Sequence, residues 1–265
     1  MLGDMSDSIH DPAAIPSHLL LLQSFGTQTI FTWNITSWSI SAEWFAYLLF
    51  PVFAILLGRY KNYTNVFIGI LAIIIYLAIF YYLPRKAFTG NIVDIKDINV
   101  SYDWGFLRGL AGFMTGMIAY RVYQNTKLIS LLSKDVFGIL IIIMLLIALS
   151  MNINDLIYLP LFMMLLLSLV SNTQLLHSIC KLKAFQFIGK ISYSIYMIHY
   201  ILILCVLLPA LDLMRFNYTG PGSLNPPINV GISLCGIFLL VVVLFSSLSY
   251  DFIERPFRNW INKKR

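Results

Sequence analysis

Seven predominantly apolar runs, each near the length of a membrane-crossing helix, constrain this chain more than any other feature; they cover about 37–58, 64–83, 104–124, 136–151, 155–171, 188–211 and 228–252. A crossing helix takes roughly 20 such residues. Hydrocarbon offers no hydrogen-bond partners, so every backbone N–H and C=O must be satisfied within its own segment, and each run is expected to be helical. The fold class that follows is all-α: a polytopic transmembrane helix bundle of about seven spans. A soluble core is excluded by a composition of 59% hydrophobic and 11% charged residues, against about 25% charged in soluble domains.

The basic residues set the expected orientation. Arg59, Lys61, Arg121, Lys127, Lys134, Lys181, Lys183, Lys190 and the tail Arg255, Arg258, Lys263, Lys264 and Arg265 fall on one side, whereas Arg85, Lys86, Lys96 and Arg215 fall on the other. The bias puts the N-terminus outside and the C-terminus in the cytoplasm. The net charge of +6 is spread over span ends, so it does not point to nucleic acid. Three domains are expected: an external segment 1–36, a transmembrane domain 37–254 and a basic cytoplasmic tail 255–265. Residues 1–18 hold Asp4, Asp7 and Asp11 and no Lys or Arg, the reverse of a signal-peptide start. Together with the outside N-terminus, this reads as the later part of a longer protein. Loops 84–103 and 209–227 are expected to be irregular, and Met151–Asp155 to close a tight helical hairpin.

Glu43, Arg108 and His199 lie inside spans, where a charge is costly and therefore marks a functional-site candidate once a partner is named. Glu43 follows Trp38 and Ser39, with Ala46, Tyr47 and Phe50 on its helical face, about 9 Å below the outer end. Arg108 enters the third span at similar depth, beside a stripe formed by Gly105, Gly109, Gly112 and Gly116 that lets helices approach closely. It is the natural partner of Glu43. The competing readings are an ion pair that orients helices and a snorkelling arginine. His199 shares a polar face with Ser192 and Tyr196, about 13 Å from the cytoplasmic end; it is a candidate base, proton shuttle or hydrogen-bonded core residue. His10, His18 and His177 read as loop residues. Four histidines without short spacing give no metal signal. Cys180, Cys205 and Cys235 read as small buried hydrophobes. The Asp251–Pro256 stretch reads as a helix stop.

These residues carry a pattern. Trp38-Ser-Ile-Ser-Ala-Glu43 with Tyr47 and Phe50-Pro51, Arg108 with Phe113-Met-Thr-Gly-Met117, Gly189-Lys-Ile-Ser-Tyr-Ser-Ile-Tyr-Met-Ile-His199, and Glu254-Arg-Pro-Phe257 resemble, in order, the motifs of the membrane acyltransferase 3 family. The resemblance implies a multi-pass protein of a bacterial inner or plasma membrane. It implies transfer of an acyl group, acetyl by the family pattern, from acyl-CoA to a hydroxyl of a surface carbohydrate. The partners implied are the lipid bilayer, acyl-CoA and a carbohydrate acceptor. No bound cofactor or metal is implied. Glu43 and His199 become the catalytic candidates; Trp38, Arg108, Ser192 and Tyr196 become the substrate-binding ones. Members usually have about ten membrane helices, and their catalytic histidine belongs to an Arg-to-His motif in N-terminal helices that have no counterpart here. The proline common after the later histidine is replaced by Tyr200-Ile201. A truncated transferase, completed by an N-terminal segment supplied separately, is therefore one expectation. A catalytically inactive membrane protein acting through helix or lipid association is the other. A seven-helix retinal protein is excluded, because span 228–250 contains no Lys for a Schiff base.

Overall fold

The computed structural model describes residues 11–59, 61–86, 92–93, 96–124, 126–151, 153–213 and 227–263. His10, Asp94, Arg215, the glycine and proline residues of 214–226, Lys264 and Arg265 lie outside them. Apart from one minimal hairpin the described residues are helical or irregular. Four helices are long and apolar enough to cross a membrane: Ile35–Leu56, Tyr63–Tyr81, Lys183–Leu211 and Ile228–Asn262. Two shorter apolar helices, Asp135–Ser150 and Asp155–Ser171, join them. These helices are consistent with a multi-pass membrane protein, and all seven apolar runs are helical.

In chain order the elements are α1 (Ile15–Leu19), α2 (Trp38–Arg59), α3 (Lys61–Tyr81), β1 (Arg85–Lys86), β2 (Ile92–Val93), α4 (Gly105–Tyr123), α5 (Thr126–Leu132), α6 (Asp135–Ser150), α7 (Asp155–Ser171), α8 (Leu175–Cys180), α9 (Lys183–Leu202), α10 (Leu208–Leu213), α11 (Ile228–Ser249) and α12 (Arg255–Asn262). The loop expected to be irregular at 84–103 contains the antiparallel pair β1–β2, with Arg85 opposite Val93. The chain divides into two compact units, Met1–Lys181 and Leu182–Arg265.

In the first unit α4 is the central helix, packed on α2, α3 and α7. It is surrounded by other helices rather than by lipid, so it tolerates Arg108 and four glycines and falls outside the four strongly apolar spans. Its glycines explain the packing. A Cβ on Gly105 would stand 2.7 Å from the Trp38 ring, and one on Gly109 would stand 2.7 Å from Ala42 Cβ. The same four-residue step on both helices makes α2 and α4 parallel and in register. Gly116 has open space beside it, so the stripe works as a seam only at its first end.

The expected hairpin between α6 and α7 is present. Asn154 caps α7 by accepting from Leu156 N at 2.9 Å, and Tyr158 Oη donates to Ala148 O at 2.9 Å. Beyond α7, Asn172 is 1% exposed and its amide is saturated. It donates to Ser133 O at 2.9 Å and Asp135 Oδ1 at 2.8 Å, and accepts from Gln174 N at 2.8 Å and His177 N at 3.2 Å. Asp135 also accepts from Leu175 N and Leu176 N, which holds the start of α8. Asn172→Ala strands several of these buried groups. It is expected to cost about 2 kcal/mol, read as a melting midpoint lowered by roughly 4–8 °C in detergent.

In the second unit α9 packs on α11. Pro209, expected in a loop, and Pro256, expected to stop a helix, do neither. Pro209 and Pro256 each follow a five-residue π-turn by two positions, the turns being Ile203–Leu207 and Tyr250–Glu254. A proline inside a helix lacks an N–H and crowds the carbonyl four residues back. That carbonyl belongs to Cys205 or Phe252, each in the middle of a widened turn, and the helix continues. The Asp251–Pro256 stretch is therefore a π-turn and not a stop. The loop expected from 209 begins as α10. The three cysteines expected to be buried are exposed; in a membrane bundle the apolar surface faces lipid, so apolar character does not require a core position.

Candidate functional site

The first group of candidate residues lies at the N-terminal ends of α2 and α4. Residues 11–37 fold over these ends. Gly26, at φ +68°, donates its N–H to Tyr102 O at 2.9 Å and passes close to Asp103. Only a residue without Cβ makes that turn freely. Ser41, inside the Trp-Ser-Ile-Ser-Ala-Glu stretch, is the main fastener. Its hydroxyl donates to Leu21 O at 2.6 Å and accepts from Ser24 N at 3.2 Å, with Ser24 Oγ 2.8 Å away. The hydroxyl valence is filled. Sequence reasoning passed over Ser41 and Ser24; the signal available was a hydroxyl in a motif on the buried side of the helix next to Ala42.

Arg108 does not pair with Glu43. Its Nη1 donates to Asn99 Oδ1 at 3.3 Å and to Val100 O at 3.4 Å, and its guanidinium sits 5.7 Å from the Trp38 ring centroid. The loop 96–104, anchored through buried Ile98 and Val100 against α3, supplies a closer partner than a carboxylate on α2. The cation therefore rests on an aromatic face, where attraction to the ring contributes about 0.5–2 kcal/mol. Asn99 was missed because it contributes only through the loop's fold.

Glu43 is exposed, as are Trp44, Tyr47 and Phe50 on the same helix. It makes no hydrogen bond or ion pair with any described residue. Tyr47 and Phe50 both meet the edge of Phe113 on α4, at 6.4 and 5.9 Å between centroids. Below them a cleft of about 650 Å³ follows Phe50, Phe113 and Tyr120 down to Arg121 and Gln124. Glu43 is not among the residues that line this cleft, whose far end holds a guanidinium and an amide.

The second unit holds the other candidates. His199 is half-buried, with its ring 5.9 Å from that of Tyr196. Its Nδ1 lies 3.2 Å from Ile195 O. A carbonyl only accepts, so Nδ1 is the donor in this contact. Ser192 is exposed and donates to Gly189 O at 2.9 Å. Nearer the end of α9, Ser194 Oγ donates to Glu254 Oε2 at 2.9 Å. Arg258 lies 3.9 Å from Glu254 and donates to Tyr250 Oη at 2.7 Å. Lys190 stands 4.8 Å over the Tyr250 ring. This knot ties the third motif to the fourth around a cleft of about 390 Å³ lined by Tyr193, Met197 and Phe257.

Of the histidines expected in loops, the two described ones lie in helices. His177 lies in α8, and His18 lies in α1 with Nε2 2.8 Å from Thr32 Oγ1. Burial depresses the basicity of His18 below its usual 6.5. Burial, and then the neighbouring Asp103, pushes the Tyr102 phenol up to about 12. A depressed histidine resists protonation when folded, while the unfolded chain takes its proton near 6.5. Its contribution is present in full above that pH and is lost as the pH falls below it. Between pH 7.5 and 5 the wild-type midpoint should drop on the order of 2 °C more than that of His18→Gln, measured side by side by thermal scan. Among the described residues no cluster of His, Cys, Asp and Glu could hold a metal ion.

Comparison with known proteins adds one finding. A family model described as an acyltransferase domain matches residues 4–246. No curated protein and no solved structure matches the chain.

Proposed function

The chain belongs to the acyltransferase 3 family, and we propose that it serves transfer of an acyl group, acetyl first, from acyl-CoA to a hydroxyl of a surface carbohydrate across a bacterial plasma membrane. One observation carries the reading. Glu43 stands unpaired on α2 five residues after Trp38, whose ring lies under the Arg108 guanidinium. In transfer, the acceptor oxygen forms a bond to the thioester carbonyl carbon, the carbon–sulfur bond breaks, and the hydroxyl proton leaves to a base. An unpaired carboxylate accepts a hydrogen bond from such a hydroxyl and polarises it. A guanidinium fixed by Asn99 and Val100 is a preorganised donor for oxygen atoms, and preorganised donors are what acyl transfer uses. Trp38 offers a flat apolar face to a sugar ring.

His199 and Tyr196 line the path of the acyl donor in this reading; Ser192 adds a hydroxyl to the same helix. The external placement of residues 1–36, the cytoplasmic placement of 255–265 and the assignment of donor and acceptor sides rest on the charge bias between loops. The test is a transfer assay on the purified chain in nanodiscs. It uses labelled acetyl-CoA and isolated surface glycan, and follows label in the glycan. Label above that of empty nanodiscs supports the proposal. Its absence, with folded protein and in the presence of separately supplied N-terminal helices, favours the non-catalytic reading.

A further inference from the structure

We infer that the layer formed by residues 11–37 holds a subsite for one hydroxyl group of a neutral sugar. It rests on the acceptor chemistry proposed above but uses residues other than Glu43, Arg108 and His199. A notch in this layer is lined by His18, Gln23, Gln28, Thr32, Asn34 and Trp38, with Phe31 and Tyr102 as further walls. Its volume is about 10 Å³, room for about one water-sized group.

Gln23 shows what that group must offer. The side chain is 4% exposed, and its Nε2 donates to Ser37 O at 3.1 Å. This bond fixes the amide, because flipping it would set two carbonyl oxygens together. Gln23 Oε1 is then buried without a hydrogen-bond partner. Buried acceptors are nearly always satisfied, so the notch calls for a small donor.

The lining residues exclude an ion. None is Asp, Glu, Lys or Arg, and burial disfavours the charged form of His18. The His18–Thr32 contact at 2.8 Å joins two groups that can each donate or accept. An O–H, which does both, matches an acceptor on one wall and this adaptable pair on the other. The part-exposed rings of Phe31 and Trp38 suit the C–H surface of a pyranose behind that hydroxyl. Between Thr32 and Asn34, Trp33 is held at φ +54°. Such a conformation is strained for a bulky residue, and strain of this kind clusters at ligand sites.

The experiment measures binding apart from turnover. The full chain in nanodiscs is titrated with methyl α-glucopyranoside, methyl β-galactopyranoside and N-acetylglucosamine, by saturation-transfer NMR. At least one should bind, and Gln23→Leu should weaken it tenfold or more. Thr32→Val leaves the Gln23–Ser37 bond in place and should weaken binding at least threefold, which keeps the test alive if Gln23→Leu folds poorly. Absence of pyranoside binding to the wild type means that a resident water alone fills the notch, and overturns the inference. So does binding that neither variant changes. Binding without transfer defeats the proposed function and leaves the subsite standing. Transfer with an unchanged acceptor KM in both variants does the reverse.

Discussion

Glu43→Gln should lower kcat/KM for acyl transfer by about 10²-fold or more while leaving the protein as stable as before, or more so. The two halves of that result have one cause. Glu43 is exposed on a membrane helix and has no partner among the described residues. A carboxylate at membrane depth costs about 2.5–3.5 kcal/mol at the centre of a span on insertion scales, and less towards the interface. Glutamine keeps the shape and removes the charge, so the melting midpoint should hold or rise. A structural ion pair would behave in the opposite way, because losing one member leaves the other stranded. What the amide cannot do is take a hydroxyl proton or stabilise positive charge developing on it, contributions of roughly 10²–10⁴ in general-base catalysis. Glu43→Asp should recover part of the rate. Turnover within threefold of wild type in the Glu43→Gln variant would sink the role given to Glu43.

The largest stability effect is expected at Gly109. A valine there places Cβ 2.7 Å from Ala42 Cβ and 3.5 Å from the Ala42 backbone. Backbone does not rotate away, so α2 and α4 must separate. Overpacking of this kind costs about 1–3 kcal/mol and sometimes more; for a β-branched residue at a backbone contact, about 3 kcal/mol is expected. The midpoint should fall by roughly 6–12 °C. The contact can be isolated by pairing Gly109→Ala with Ala42→Gly, which removes the nearest atom. The double variant should regain at least half of the loss seen in Gly109→Ala alone. Gly116→Ala, with nothing within 4 Å, should not lower the midpoint. Equal losses at Gly109 and Gly116 would show that helix approach is not what the glycine at 109 provides.

The apolar runs made the helices legible, because lipid permits little else for a segment of that length. Glu43, Arg108 and His199 were legible for a related reason: ionisable groups are rare there and need an explanation. The partners were not. Arg108 and Glu43 share a depth, yet Asn99 and Val100 reach the guanidinium through a loop whose path is set by contacts with α3. No periodicity encodes that. Ser24, Ser41 and Gln23 act between segments far apart in the chain, so a local pattern cannot single them out. Pro256 was misread because the rule that proline ends a helix assumes α geometry, whereas a π-turn moves the offending carbonyl aside. The burial expected of the cysteines failed because the rule came from proteins surrounded by water.

The continuous helix Ile228–Asn262 also has a length worth measuring against the membrane. Its 35 residues span about 52 Å at 1.5 Å each, while the hydrocarbon layer is about 30 Å thick. Even with tilt, the helix outruns the bilayer by several turns. Its far end carries Glu254, Arg258 and the exposed Phe257 and Trp260. It acts as a strut whose last turns, with the final motif, run beyond the length that hydrocarbon needs. The Ser194–Glu254 bond then fastens α9, the helix of His199, to that strut.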